Sequence, residues 1–359
     1  MAAFSWVACE ARTGVVIADL PDLSCDRVPV TMGRYESASA SLPLPTAPEN
    51  WERAILEGGS SLVLLRDETP LWGGLVTQAP RTHGDVVSLS LVTAEGYLDR
   101  RFVGDVTYTA TGQNVIVTDL ISRFVADPGG IPLRVQVVTA GDGAARDRTY
   151  TDASDQTVYS QLQELMSVAG GPEWTIGWEH QTNPERYTPV LYVGDRLGSA
   201  PMNGLTPSVT FDLPGNVLSA EQGRDFTAGK GATRVVATSS GVADARPQSS
   251  PQVSADPDRP TFEHRWSPSS SITDVVTLDE HAARKLTDLA SGSRPLSVTI
   301  DASDDASPIP GRDWTIGDVV GVDLTAPAWP TGLKTTARVY GWSLTLNGTP
   351  YSTPLLSLD

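Results

Sequence analysis

Residues 61–78, SLVLLRDETPLWGGLVTQ, decide how the rest of the chain is read. Leu62, Val63, Leu64 and Leu65 form a short apolar run. Arg66-Asp67-Glu68-Thr69-Pro70 is polar, and its proline has no N–H to offer a ladder, so a turn is expected there. Leu71-Trp72-Gly73-Gly74-Leu75-Val76 resumes an extended pattern, with two glycines where another backbone must come close or the strand must coil sharply. A fainter copy lies near the C-terminus. There Trp314–Val322 is followed, after a loop, by Arg338–Leu346, which again sets Trp342 beside Gly341. Each end of the chain is therefore expected to build a small antiparallel β-barrel of similar plan around a different middle domain.

Working outward, residues 4–44 alternate apolar and polar. Phe4, Trp6 and Ala8 face Val15-Val16-Ile17 across a turn at Arg12-Thr13-Gly14, and Val28–Leu44 is a long polar-apolar stretch broken by Pro43 and Pro45. Asn50–Leu56 is a short helix with Asn50 as its cap. Asp85–Val92 is a further strand, and Ala94–Asp99 a closing helical turn. About six strands in roughly a hundred residues suit a small barrel or sandwich.

From residue 105 the period changes. Gln113–Val125 carries Ile116, Leu120 and Phe124 at four-residue spacing, flanked by Val117, Ile121 and Val125, and predicts an amphipathic helix ended before Pro128-Gly129-Gly130. Leu133–Val138 is a strand. A second helix, capped by Ser154 or Asp155, buries Val158, Leu162, Leu165 and Ala169 and stops at Gly170-Gly171-Pro172. Trp174–Trp178 and Val190–Val193 are strands joined near Asn183-Pro184. Strands return at Val209-Thr210-Phe211, Val217-Leu218 and Ala232–Ala237. Residues 241–260, rich in Pro, Ser and Asp, read as an exposed loop. A third helix, with a Thr277/Glu280 capping box and the stripe Leu278, Ala282, Leu286 and Leu289, is expected to pack on the first two.

The expected domains are thus 1–104, an N-terminal barrel; 105–205, an α/β middle domain; 206–245, the start of a second barrel; 246–296, a loop and helix returning to the middle domain; and 297–359, the rest of that barrel. The fold class is mixed β and α/β, two tube-like barrels flanking a discontinuous middle domain.

Composition narrows function. The 359 residues exceed one ordinary core. The net charge of −17 argues against a surface that grips phosphates, so no specific nucleic-acid binding is expected, though an acidic wall would let DNA pass without sticking. No apolar run reaches membrane-spanning length, and the N-terminus has no signal-peptide pattern, which predicts synthesis in the cytoplasm. Cys9 and Cys25 read as reduced, half-buried thiols.

Motifs for chemistry are weak. Gly229-Lys230-Gly231 lacks the Walker spacing, since Arg224 stands where the first glycine belongs, and reads as a β-turn. His83, His180, His264 and His281 are scattered, with no metal spacing. Asp152–Asp155 reads as helix capping and Asp301–Asp305 as a solvated loop, not a calcium site. Trp174, Ile176 and Trp178 share one strand face and read as core more readily than as a sugar platform. No catalytic, metal or cofactor residues are assigned, and an enzyme is not expected.

The order of these elements resembles the baseplate hub, or minor tail, proteins of tailed phages, whose ring module also heads type VI secretion spike proteins. The residues that carry the resemblance are the Arg66–Val76 hairpin, the Ala110-Thr111-Gly112-Gln113 lead-in to a helix, and Asp313-Trp314-Thr315-Ile316-Gly317-Asp318-Val319-Val320. The resemblance spans nearly the whole chain. It implies a virion protein of the tail tip, a homotrimer whose six barrels form a ring. That ring would adapt a hexameric tail tube, or distal tail protein, above to threefold spike or fibre proteins below. It would also close or line the channel for DNA ejection, with tape-measure protein as a further partner in the lumen. A receptor- or carbohydrate-binding tip module is the alternative, and a cell-wall hydrolase ranks last.

Overall fold

The protein is described here from a computed structural model covering residues 3–126, 129–168, 170–199, 207, 209–239, 241, 246–268, 274–304 and 306–358. Pro128, Ala169 and Asp305, singled out from sequence, lie outside the described residues, as does part of the 241–260 loop. The chain is mostly β, arranged in several sheets, and divides into two compact units: residues 1–220 with 298–357, and residues 221–297.

In the first unit, β1 (Phe4–Glu10) and β2 (Val16–Asp19) form the expected hairpin. The stretch 24–43 divides into β3 (Ser24–Cys25), β4 (Arg27–Thr31) and β5 (Ser37–Pro43). A single helical turn, α1 (Trp51–Ala54), follows; its expected cap, Asn50, instead spends its side-chain amide on the Ile17 carbonyl at 3.0 Å. Then come β6 (Ser60–Arg66), β7 (Thr69–Gln78), β8 (Val86–Thr93) and the one-turn α2 (Glu95–Leu98).

The β6–β7 turn lies within the expected Arg66–Pro70 stretch but is tighter, since Arg66 already pairs with Thr69. Asp67 and Glu68 both take positive φ, 48° and 66°, the geometry of a type I′ hairpin turn. Asp67 compensates for lacking glycine's freedom: its carboxylate accepts the Ala3 N–H at 2.9 Å. Pro70 therefore sits inside β7, opposite Leu65, where the register shifts and no ladder N–H is required. The strand order is β2-β1-β6-β7-β8-β5-β3, and β6, central between β1 and β7, is buried along its whole length.

In the stretch from residue 105 to 150, two strands escaped the sequence reading. β9 (Val106–Gly112) and, after helix α3 (Gln113–Ile121) and β10 (Arg134–Val137), β11 (Ala145–Tyr150) pair as a two-stranded sheet. α3 runs on through a π turn at Ser122–Ala126. Helix α4 (Val158–Ser167) is capped by Thr157, whose hydroxyl accepts the Ser160 N–H at 3.1 Å, not by Ser154 or Asp155. β12 (Glu173–Thr182) and β13 (Glu185–Gly194) pair in register over their full length, and β10 joins β13 in parallel. Trp174, Ile176, Leu191 and Val193 lie on one face of this sheet and pack with Ile116, Leu120, Leu162 and Leu165 of the helices.

A second seven-stranded sheet follows. It holds β14 (Thr210–Leu213) and β15 (Val217–Gln222) from before the second unit. After it come β19 (Leu296–Asp301), β20 (Val319–Ala326), β21 (Trp329–Thr345) and β22 (Tyr351–Leu358). The order is β14-β20-β21-β22-β19-β15, and β4, from the N-terminal region, pairs with Gly341–Thr345 of β21. An N-terminal barrel closed on its own strands is thus corrected: one of its strands is shared with the C-terminal sheet.

The second unit is small. β16 (Arg234–Ala237) lies between β17 (Gln252–Val253) and β18 (Glu263–Trp266), with helix α5 (Val275–Ala290) on one face. Leu278, Ala282 and Leu289 bury against Ala232, Val235 and Ala237. This corrects two expectations. The α5 stripe is taken up by β16, not by α3 and α4, so residues 246–296 fold with 221–245 and do not return to the middle domain. The helix also begins at Val275, ahead of Thr277, whose side chain lies outside the described set.

Candidate functional site

A cleft of about 460 Å³ opens in the first unit. Its floor is the face of the β12–β13 sheet that points away from the helices. Because side chains alternate along a strand, burying Trp174 and Ile176 against α3 and α4 leaves Thr175, Gly177 and Glu179 on this other side. Tyr192 stands opposite Thr175 in the register. Leu71 of β7 and Trp342 of β21 line its walls.

The cleft's charge is already spoken for. Glu179 takes a hydrogen bond from Arg134 at 2.6 Å and another from the Tyr192 hydroxyl at 3.4 Å. Burial, with the Glu179 charge beside it, pushes the Tyr192 hydroxyl above the usual tyrosine value. His180 stacks on Tyr187 with ring centroids 4.6 Å apart and lies 3.5 Å from Glu185. The Thr175 hydroxyl is buried and finds no partner among the described residues. Chemically this is an aromatic and aliphatic trough edged by threonine hydroxyls. Its single carboxylate is held by an arginine, so the cleft lining lacks the pair of carboxyls that glycoside hydrolysis needs.

A strand edge lies open beside it. Among the described residues β10 pairs with β13 alone, and Val138 donates its N–H to the Val193 carbonyl at 2.8 Å. The alternate residues Val135 and Val137 therefore direct their backbone groups away from β13. Val137 and Val115 of α3 are exposed at 42% and 41% beside that edge. Such an edge is a template for another strand.

The residues singled out from sequence fall in place as follows. Trp72, Trp174 and Trp342 are buried, and Trp72 donates its indole N–H to the Pro29 carbonyl at 2.9 Å and meets Trp6 edge-on. Trp178 is half-buried, so the four tryptophans form no exposed platform. Gly229-Lys230-Gly231 is a turn in which Lys230 reaches Asp225 at 2.6 Å. His264 and His281 lie on β18 and α5, His281 edge-on to Trp266, while His83 sits in an exposed loop. Asp301 accepts from Ser303 within its own turn. Among the described residues, no three His, Cys, Asp or Glu side chains gather as a metal site. The cleft and the open edge were not foreseen, because each depends on which strands the topology leaves unpaired.

No protein-family profile matches the chain, and no curated protein sequence matches it. Solved structures do. A tail protein from Neisseria meningitidis matches with a TM-score of 0.65 at 13% identity, over 99% of this chain and 97% of that one. The 43 kDa tail protein of prophage MuSo2 from Shewanella oneidensis matches with a TM-score of 0.65 at 10% identity, over 99% and 98%. A chain of the Francisella PdpA–VgrG complex matches with a TM-score of 0.56 at 8% identity, over the whole of this chain and 58% of that one. Identities this low speak to fold alone, and by fold the chain stands with phage tail proteins.

Proposed function

We propose that this protein is a structural component of a phage tail tip, a hub that works as a homotrimer. The observation that carries the reading is the end-to-end match, over 97–99% of both chains, to two phage tail proteins. Residues 1–104, less β4, form one barrel-like element. β14, β15 and β19–β22, joined by β4, form the other, and residues 223–295 are an insertion between β15 and β19. Three copies present six such elements, matching a hexameric tube above and a threefold spike or fibre below, with DNA passing through the centre. The excess of 43 acidic over 26 basic residues favours a channel that does not hold DNA. No residue is assigned a catalytic role.

Sedimentation equilibrium of the purified chain, alone and with tube protein, tests this. A mass near three times 38.1 kDa, or a ring in electron images of the assembled tail, is expected. A monomer that never joins tube protein overturns it. The cleft lined by the half-buried Trp178 and Tyr192 favours a second reading, a carbohydrate-binding tip module, which predicts glycan-dependent quenching of tryptophan fluorescence.

A further inference from the structure

Helix α3 and the open edge of β10 border a groove of about 520 Å³. One wall is Val115, Thr118, Asp119 and Ser122, spaced three and four apart and so aligned on one face of α3 and its π turn. The other is Val137 with Thr139, and Gly141 and Asp142 complete the lining. Its apolar part is the exposed pair Val115 and Val137.

The strand beside this groove has backbone groups to offer. Val138 turns its N–H toward β13, and directions alternate along a strand, so Val135 and Val137 each hold an N–H and a C=O away from β13. A segment laid along them bonds through its main chain, while its side chains alternate between the two faces. Every second one would reach the α3 side, over Val137 and Val115 and toward Asp142. The rest would fall on the Gln136 side.

Charge selects the occupant. The groove lining carries two carboxylates, Asp119 and Asp142, and, among the described residues, no lysine or arginine. Asp119 is held by the Tyr108 hydroxyl at 2.6 Å and by Arg123 at 3.0 Å, which leaves the exposed Asp142 to meet an incoming segment. Arg134, at the start of β10, is bound to Glu179 at 2.6 Å. A second copy of this chain would bring a net charge of −17 toward that carboxylate, so self-pairing is disfavoured and a cationic segment is favoured.

We propose that the β10 edge and this groove dock an extended, basic segment of another protein. The segment adds as a further strand beside β10, sets β-branched side chains on Val115 and Val137, and brings a lysine or arginine to Asp142. The site is complete within one chain, so its test is separate from that of the trimeric hub.

The probe is the blocked peptide KTVTKTVTK, titrated into the isotope-labelled full chain and followed by amide resonances and amide exchange. The peptide reads the same in both directions, so strand polarity does not enter, and it puts lysine and valine on one face and threonine on the other. Saturable binding that weakens with added salt is expected, with exchange at Val135 and Val137 slowed by about fivefold or more. Val137→Pro takes away an outward N–H and leaves the β13 ladder intact, and should weaken binding about tenfold. Asp142→Asn should weaken it about threefold and blunt the salt dependence, and it serves if the proline variant does not fold. No saturable binding, slowed exchange at another strand edge instead, equal affinity for the acidic peptide ETVTETVTE, or unchanged affinity in both variants overturns the docking site.

Discussion

The indole of Trp178 covers the bare face of Gly73: a Cβ on that glycine would lie 2.3 Å from the indole Cε2 and 2.6 Å from both Cζ2 and Nε1. Trp178 packs against two core clusters at once, one around α3 and α4 and one around Val7, Cys9 and Val63. The Gly73 position is therefore where β12 seats on β7. Gly73→Ala forces the indole out of its place and is expected to cost about 1–3 kcal/mol, as overpacking does. Gly84→Ala, whose Cβ would meet nothing nearer than Thr82 at 3.8 Å, should stay within about 0.5 kcal/mol. Urea unfolding of the two variants checks both; equal midpoints would show that the indole moves freely.

Glu173 and Arg338 hold β12 to β21. The guanidinium forks onto both carboxylate oxygens and also donates to the Gly317 and Leu197 carbonyls, each at 3.0 Å, with side chains only 20% and 18% exposed. Glu173→Ala strands the arginine in a largely dry site and should cost about 3–5 kcal/mol. Removing the exposed Glu52–Arg81 pair, whose side chains are 70% and 51% exposed, should cost under about 1 kcal/mol.

The same pair has an acid signature. Burial alone would raise the Glu173 carboxyl, but the Arg338 hydrogen bonds, the Leu197 N–H and the Arg338 charge together hold it below 4.5. The folded value lies beneath the unfolded one, so this stabilisation is present above about pH 4.5 and lost as pH falls through the folded value. Unfolding midpoints between pH 3 and 6 should therefore drop steeply in the parent chain and less in Glu173→Gln. Parallel drops would remove Glu173 as the source.

What the sequence made legible was periodicity and punctuation. Ile116, Leu120, Val158, Leu162 and Leu165 are all fully buried, as their spacing implies, and the tryptophans beside glycines mark packed strands. Partner choice was not legible. Arg27–Thr31 alternates the same way whichever sheet it joins, and nothing local says that it pairs with β21 more than 300 residues later. β9 and β11 are polar along most of their length, so no apolar rhythm announces them. α5 shows its stripe plainly, but a stripe names a face and not the strand that covers it. The cleft follows from those pairings and was hidden with them.

Thr157 carries the start of α4. Its hydroxyl accepts the Ser160 N–H and donates to Asp99 at 2.8 Å, linking the helix to the segment after α2. Thr157→Ala should cost about 1 kcal/mol for the cap, with the lost Asp99 contact adding to it. Ser154→Ala should be nearly silent, since its hydroxyl bonds only Thr151 on an exposed turn. Thermal melts separate the two; a larger effect at Ser154 would return the cap to the acidic turn.

Cys9 and Cys25 are free thiols, 0% and 4% exposed, on β1 and β3. Burial pushes Cys9 up to about 12 and Cys25 up to about 11, against partial relief from hydrogen bonds to the Tyr187 and Arg27 backbones. The thiolate is the reactive form, so at pH 8 both are protonated as well as covered. An aromatic disulfide reagent at pH 8 should leave the native chain unmodified over hours and titrate both thiols on addition of urea. Because Cys9 packs with Val7, Val63 and Tyr187, its release should track the global transition, not local fraying. Rapid modification of the folded chain would mean that β1 or β3 opens far more readily than its burial implies.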